Sequence, residues 1–314
     1  MQSDGTTRAP GAAWDGIPII DTHIHLFDID RPQGVPFPDP SRPILYKTAL
    51  PPRYRRIVAP FGIRGAIVVE CSNWIEDNQW VLDVTEKDTF FVGMVGNLEV
   101  GGPEFALHLE RVRKSPLFLG IRYGNLWGRN LCAALGKPQF IADLRLLADA
   151  GLVLDTFCGF NDVPSLSAVV RISDLVPNLR IVIDHLPAFQ RSKQMDARST
   201  YESSMRELAE RSQVFVKISE FLRGADGKPS LGAETIRQSL DEIYGVFGPD
   251  RSIYGSDWPV SDTLGTYEEV LGTACAFFLT KGRAIAEKCL WRNSIAAYRW
   301  VPREAGQRVI DKVC

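Results

Sequence analysis

Eight short runs rich in β-branched residues, helix punctuation between them, and polar residues gathered at the ends of those runs predict a (β/α)8 TIM barrel. The runs cover residues 17–20, 65–70, 90–95, 117–122, 152–157, 180–184, 214–219 and 252–255. Alternation of strand and helix over about 250 residues is the pattern of a closed parallel barrel. A doubly wound open sheet also alternates in this way, but no Gly-x-Gly-x-x-Gly turn follows the first strand.

Residues 1–16 are rich in Gly, Ala and Ser without an apolar period, which predicts a flexible arm followed by a single domain over 17–314. The first strand leads into Asp21-Thr-His-Ile-His25. Side chains alternate across a strand, so His23 and His25 share one face, and paired imidazoles at a barrel mouth suit a transition metal or acid–base chemistry. Asp21 has the same parity and is expected to orient an imidazole.

Between the first two strands, residues 27–63 contain eight prolines, which predicts a long insertion that is not helical throughout and that covers the mouth. Within it Tyr46, Lys47, Arg53, Tyr54 and Arg55 are placed to reach an anionic ligand or to form plain lid surface. Further along, Pro103 opens a helix over 104–114, with His108 as a surface or packing residue, and Gly151 stops another over 140–150. Ser199 with Glu202, and Thr266 with Glu269, have capping-box spacing ahead of helices 201–212 and 267–279.

The chain has 314 residues, 45% hydrophobic and 24% charged, with a formal net charge of -2. That balance leaves no basic footprint for nucleic acid and no cationic run for an anionic membrane surface. No apolar stretch reaches the roughly 20 residues of a membrane helix, and Met1-Gln-Ser-Asp-Gly lacks a leader's basic and apolar regions, so a cytoplasmic location is expected. The partner left by these exclusions is a small-molecule substrate, with self-association into a homo-oligomer open. Six scattered cysteines without a Cys-x-x-Cys predict reduced thiols, and Cys71 and Cys158 are read as small buried residues before nucleophiles.

If the barrel closes, the strand ends bring together His23 and His25, Glu70, Arg122, His185, Lys217 with Ser219, and Asp257. Charge at such positions needs a partner or a ligand, because its burial alone costs several kcal/mol. A carboxylate beside imidazoles can complete a metal site, deprotonate water, or both. Trp74, Trp127 and Trp258 fall on expected mouth loops, as stacking surfaces for a ring or as packing.

Three ordered motifs, Asp21-Thr-His-Ile-His25, Val182-Ile-Asp-His-Leu186 and Gly255-Ser-Asp-Trp-Pro259, resemble the amidohydrolase superfamily in its amidohydrolase 2 branch of TIM-barrel metal-dependent hydrolases. The resemblance leans toward the group containing fuconolactonase, 4-sulfomuconolactone hydrolase and 2-pyrone-4,6-dicarboxylate lactonase. Leu119-Gly-Ile-Arg122, Val216-Lys-Ile-Ser219 with Arg223, and Leu290-Trp-Arg-Asn-Ser-Ile-Ala-Ala-Tyr298 extend it from Ile17 to about Trp300. It implies a lactonase in which His23, His25, Asp257 and His185 hold the metal. It also implies that Asp257 is the base for water, that His185 polarises the carbonyl, and that Arg122 and Arg223 grip substrate carboxylates. Binuclear members carry a bridging lysine or carboxylate on strand four and a histidine on strand five. Here Arg122 and Asp155-Thr-Phe157 occupy those places, which argues for one divalent ion, Zn or Mn, that the reaction need not require.

Glu70 stands where many of these lactonases have glutamine, and three roles are open to it: metal ligand, acceptor for a sugar hydroxyl, or partner of Arg122. Two other functions fit the same chain. A decarboxylase of the same superfamily would be expected to use the fifth-strand histidine absent here, and a non-catalytic ligand-binding barrel would lose no activity on Asp257→Asn.

Overall fold

All eight predicted strands form and pair, each parallel to the next, in sequence order. They are β1 (Ile19–Ile24), β2 (Ile63–Val69), β3 (Phe91–Gly96), β4 (Phe118–Arg122), β5 (Val153–Thr156), β6 (Arg180–Ile183), β7 (Val214–Ile218) and β8 (Ser252–Tyr254). The computed structural model describes residues 14–158, 163–185, 195–223 and 232–308; residues 1–13 of the predicted arm, and Leu186 of the second motif, lie outside these. β1 begins and ends later than its apolar run suggests, so that the His-x-His pair stands at its very end.

The barrel closes where the first and last motifs meet. His23 O accepts from Asp257 N at 2.8 Å, and His25 N donates to Trp258 O at 2.7 Å. Thr22 Oγ1 adds a bond to Tyr254 O at 2.6 Å. Backbone pairing alone thus sets Asp257 beside both histidines. Gly255 permits the approach, since a Cβ there would stand 2.7 Å from the Cβ of His23.

Helices α1 (Pro51–Val58), α2 (Glu76–Glu86) and α3 (Phe105–Val112) follow the first three strands, and α4 (Leu131–Leu135) and α5 (Pro138–Asp149) follow β4. After these come α6 (Val163–Leu175), α7 (Met195–Ala209), α8 (Ala233–Phe247), α9 (Tyr267–Thr280), α10 (Arg283–Glu287) and α11 (Asn293–Tyr298). The Thr266–Glu269 capping box forms at the start of α9. The Ser199–Glu202 box does not: α7 already begins at Met195, so Glu202 faces Arg198 one turn earlier at 2.7 Å. Inside the barrel Ile20, Ile67, Val69, Val92, Val153, Val182, Phe215 and Ile253 pack with Trp291, Tyr298 and Trp300 of the C-terminal segment. Among the described residues no helix is long and apolar enough to cross a membrane.

The insertion divides in two. Its second part is α1, whose Pro51 and Pro52 sit in the first turn, where a missing N–H and a fixed φ suit a helix. This helix lies on the outer side of the barrel, which corrects the anion-binding role considered for its residues. Tyr54 is fully buried against Trp258, Arg53 pairs with Asp262 at 3.1 Å, and Arg55 lies over the Phe90 ring near Asp88. His108 pairs with Glu104 on the outside of α3 at 3.5 Å.

Candidate active site

The period-two alternation of β5, β6 and β7 carries apolar side chains and then charge to the interior: Val153 then Asp155, Val182 then Asp184, Phe215 then Lys217. Lys217 is fully buried, and its Nζ donates to Asp155 Oδ2 and Asp184 Oδ1 at 2.7 Å each and lies 3.1 Å from His23 Nδ1. Two N–H bonds of the ammonium thus have carboxylate acceptors, and Tyr298 OH supplies Asp155 with a further donor at 2.8 Å. Burial pushes the Asp155 carboxyl up to about 7 even against Lys217. Burial would also raise Asp184, but Lys217 and Arg122 outweigh it and hold that carboxyl below its ordinary value.

Above this layer the imidazoles converge on Asp257. Its Oδ1 stands 3.0 Å from His25 Nε2, 3.3 Å from His23 Nε2 and 3.7 Å from His185 Nε2. Each of β6, β7 and β8 is followed within two or three residues by a non-glycine residue in the left-handed region: His185 (φ 45°), Glu220 (φ 53°) and Asp257 (φ 60°). Such backbone costs of order 1–3 kcal/mol per residue and gathers at functional sites. Here Glu220 shares a hydrogen bond with Asp257, and both carboxyls are pushed up to about 7, first by burial.

The histidines are held neutral. Burial, then Arg122, takes His25 down to about 4, and burial holds His23 and His185 well below the ordinary imidazole value. His25 Nδ1 lies 2.9 Å from Val69 O, which can only accept, so its proton is on Nδ1 and the Nε2 lone pair faces Asp257 Oδ1. Two acceptors face each other at 3.0 Å, and only a proton or a cation between them removes the repulsion. His23 Nε2 is buried without a hydrogen-bond partner, and nitrogen and carboxylate atoms of His23, His25 and Asp257 lie within 4.8 Å of one another. The donor set of imidazole nitrogen and carboxylate oxygen fits a Zn- or Mn-type ion, and the backbone carbonyl on His25 Nδ1 is the kind of support that metal-binding imidazoles use. His185 Nδ1 meets Ser219 Oγ at 2.8 Å, a hydroxyl able to donate or accept.

At the rim, Glu70 Oε2 accepts from Ser72 N at 3.1 Å, Asn97 Nδ2 at 3.4 Å and Trp127 Nε1 at 3.1 Å. Arg122 approaches Asp184 Oδ2 at 2.9 Å and Glu70 Oε1 at 3.9 Å, while Arg223 grips Glu220 with bonds of 2.8 and 2.6 Å. Glu70 thus lies near Arg122 and, among the described residues, outside the groups of histidine and carboxylate atoms close enough to share a metal ion.

Of the residues expected from sequence, His23, His25, His185, Asp257, Arg122 and Glu70 come together, with Arg223 and Trp127 at the edge. Two do not serve as expected. Trp258 is fully buried, 5.1 Å from the Tyr54 ring, because it alternates with Asp257 and points outward. Asp21 accepts from Tyr54 OH, Tyr267 OH and Ser256 N at 2.8, 3.0 and 2.8 Å, because the irregular register after Asp21 breaks its parity with the histidines. Trp74 faces Arg31. Burial pushes the Cys71 thiol above its ordinary value, against the thiolate that a nucleophile needs. Asp155, Asp184 and Glu220 received no role from sequence, although two of them follow an inward apolar residue by two positions.

Neutral imidazoles and carboxylates buried at the C-terminal ends of barrel strands define a TIM-barrel protein with a hydrolase-type centre. Residues 20–300 match the amidohydrolase 2 family of amidohydrolases, and the chain belongs to it. An L-fucono-1,5-lactonase of Burkholderia ambifaria is 27% identical over 251 residues, covering 79% of this chain and 82% of the relative. Another, from Burkholderia multivorans, is 24% identical over 296 residues, covering 92% and 98%. A Burkholderia multivorans amidohydrolase crystallised with bound zinc shares the fold, with a TM-score of 0.78, 22% identity, and coverage of 90% of this chain and 99% of that one.

Proposed function

We propose that this protein is a hydrolase that opens a small lactone, with Asp257 as the base for water. The observation that carries the reading is the Asp257 carboxyl, pushed up to about 7 by burial and encircled by three neutral imidazoles. A base with a pKa near the working pH balances its ionised fraction against proton affinity. Asp257 takes a proton from water as the oxygen attacks the ester carbonyl carbon. It returns the proton to the ring oxygen as the acyl C–O bond breaks, leaving a hydroxy acid. Glu220, bonded to Asp257, holds the exchanged proton close to it. His185, with Ser219 able to support either tautomer, orients the carbonyl oxygen.

His23, His25, Asp257 and His185 would hold one divalent ion, zinc or manganese, which when bound supplies Lewis acidity to the carbonyl and lowers the pKa of water. Lactonase relatives spanning most of the chain, and a fold neighbour with zinc, support this reading. A pH-indicator screen over sugar lactones and carboxylated ring lactones tests it. Acid release from at least one is expected; release from none, with carbon dioxide evolved from a carboxylated ring, contradicts it in favour of a decarboxylase.

A further inference from the structure

The two histidines of β1 meet different neighbours at Nδ1. For His25 the neighbour is Val69 O at 2.9 Å, an acceptor, which puts the proton on Nδ1 and leaves Nε2 free to bind an ion. For His23 it is Lys217 Nζ at 3.1 Å. An ammonium donates and never accepts, so an imidazole nitrogen bonded to it must be the unprotonated one.

The rival partner for a proton on His23 Nδ1 is Asp184 Oδ1, which is farther away at 3.5 Å and already accepts from Lys217 at 2.7 Å. Lys217 has little freedom to turn away. It is fully buried, and Asp155 Oδ2, itself bonded by Tyr298 OH, takes another of its N–H bonds at 2.7 Å. With two N–H bonds fixed on carboxylates the third is left for His23 Nδ1, since the Tyr298 ring centroid stands 5.5 Å from Nζ.

We propose that Lys217 is a positioning residue that fixes His23 as its Nε2–H tautomer in metal-free protein, so that an ion gains His23 as a ligand only by moving that proton to Nδ1 against Lys217. The protonated Nε2 lies 3.3 Å from Asp257 Oδ1, where its N–H offsets the repulsion between that oxygen and the lone pair of His25 Nε2. Ion binding breaks the N–H bond at Nε2 and forms one at Nδ1, with Asp184 Oδ1 as acceptor and no net release of a proton. The bond from Lys217 is lost in the exchange, and a charge-assisted hydrogen bond corresponds to about 10- to 100-fold in affinity. Only the ion step rests on the metal placement proposed above.

NMR correlation of imidazole protons with nitrogens in isotope-labelled, metal-free wild type reads the tautomer, with His23 assigned by the loss of its signal in His23→Gln. A proton on Nε2 alone is expected; a proton on Nδ1, alone or together with Nε2, overturns the inference. After loading with zinc the His23 proton is expected on Nδ1, and zinc held with that proton still on Nε2 overturns the ion step. Zinc titration against a competing chelator then compares wild type with Lys217→Met, its fold checked by circular dichroism. Binding at least about tenfold tighter in the variant is expected, and equal or weaker binding contradicts the ion step. Should Lys217→Met fail to fold, the two wild-type spectra decide. Zinc retained by neither protein would refute the metal placement alone, with the metal-free tautomer still deciding the role of Lys217.

Discussion

Replacing Lys217 with methionine removes the one cation between Asp155, Asp184 and His23 while keeping most of the buried volume. Both carboxylates lie 2.7 Å from Nζ in a fully buried layer, so the loss strands charge instead of exposing it to water. Breaking a buried pair from one side costs about 3–5 kcal/mol. For a chain of this size, that corresponds to a fall in Tm of roughly 10 °C. The cost depends on pH with a definite sign. Asp155 already titrates near 7 in the folded state because burial raises it, and Lys217 opposes that rise. Without Lys217 the Asp155 carboxyl rises further while Asp184 keeps Arg122, so Asp155 takes up a proton as the pH falls to 5 and loses its unpaired charge, and the penalty is full at pH 8 and shrinks on acidification. Guanidinium denaturation of wild type and Lys217→Met at pH 5, 7 and 8 measures it. A difference below about 1 kcal/mol at pH 8, or one that grows on acidification, refutes the reasoning.

In metal-free protein, because Asp257 must be ionised to act as base and burial raises it to about 7, kcat/KM should climb with pH through about 7, and a cation bound beside the carboxylate should move that limb to lower pH. Glu220 titrates in the same range, so that limb belongs to the pair; a limb centred near the ordinary carboxylate value would contradict the assignment. Elemental analysis after dialysis should find one divalent ion per wild-type chain. In His25→Ala, removal of an imidazole aimed at Asp257 should weaken retention by about 100-fold or more, and equal stoichiometry in both proteins would remove His25 from the ligand set.

The barrel was legible because each of its strands carries its own period and punctuation, and the histidine pair because two residues on one strand face share a direction. Asp155, Asp184 and Lys217 were legible in principle, each standing two positions after an inward apolar residue. Their mutual pairing was not, since it joins three strands across the interior. Glu220 was hidden for a different reason: it reaches Asp257 through a left-handed backbone that glutamate rarely adopts, and no local pattern announces such a turn. Parity counting fails for Asp21 because it assumes an unbroken strand, whereas β1 shifts register after Asp21; Trp258 is expected on a mouth loop, but the seam between β1 and β8 lets Asp257 face in and Trp258 face out.

The central claim is that Asp257 activates water against a lactone carbonyl. Turnover by wild type and Asp257→Asn, on whichever lactone releases acid in the screen, tests it most directly, with the product identified as the hydroxy acid. Loss of a positioned base predicts a fall in kcat of about 10²–10⁴-fold, with the variant still folded. Retention of kcat within about tenfold by Asp257→Asn would contradict the account.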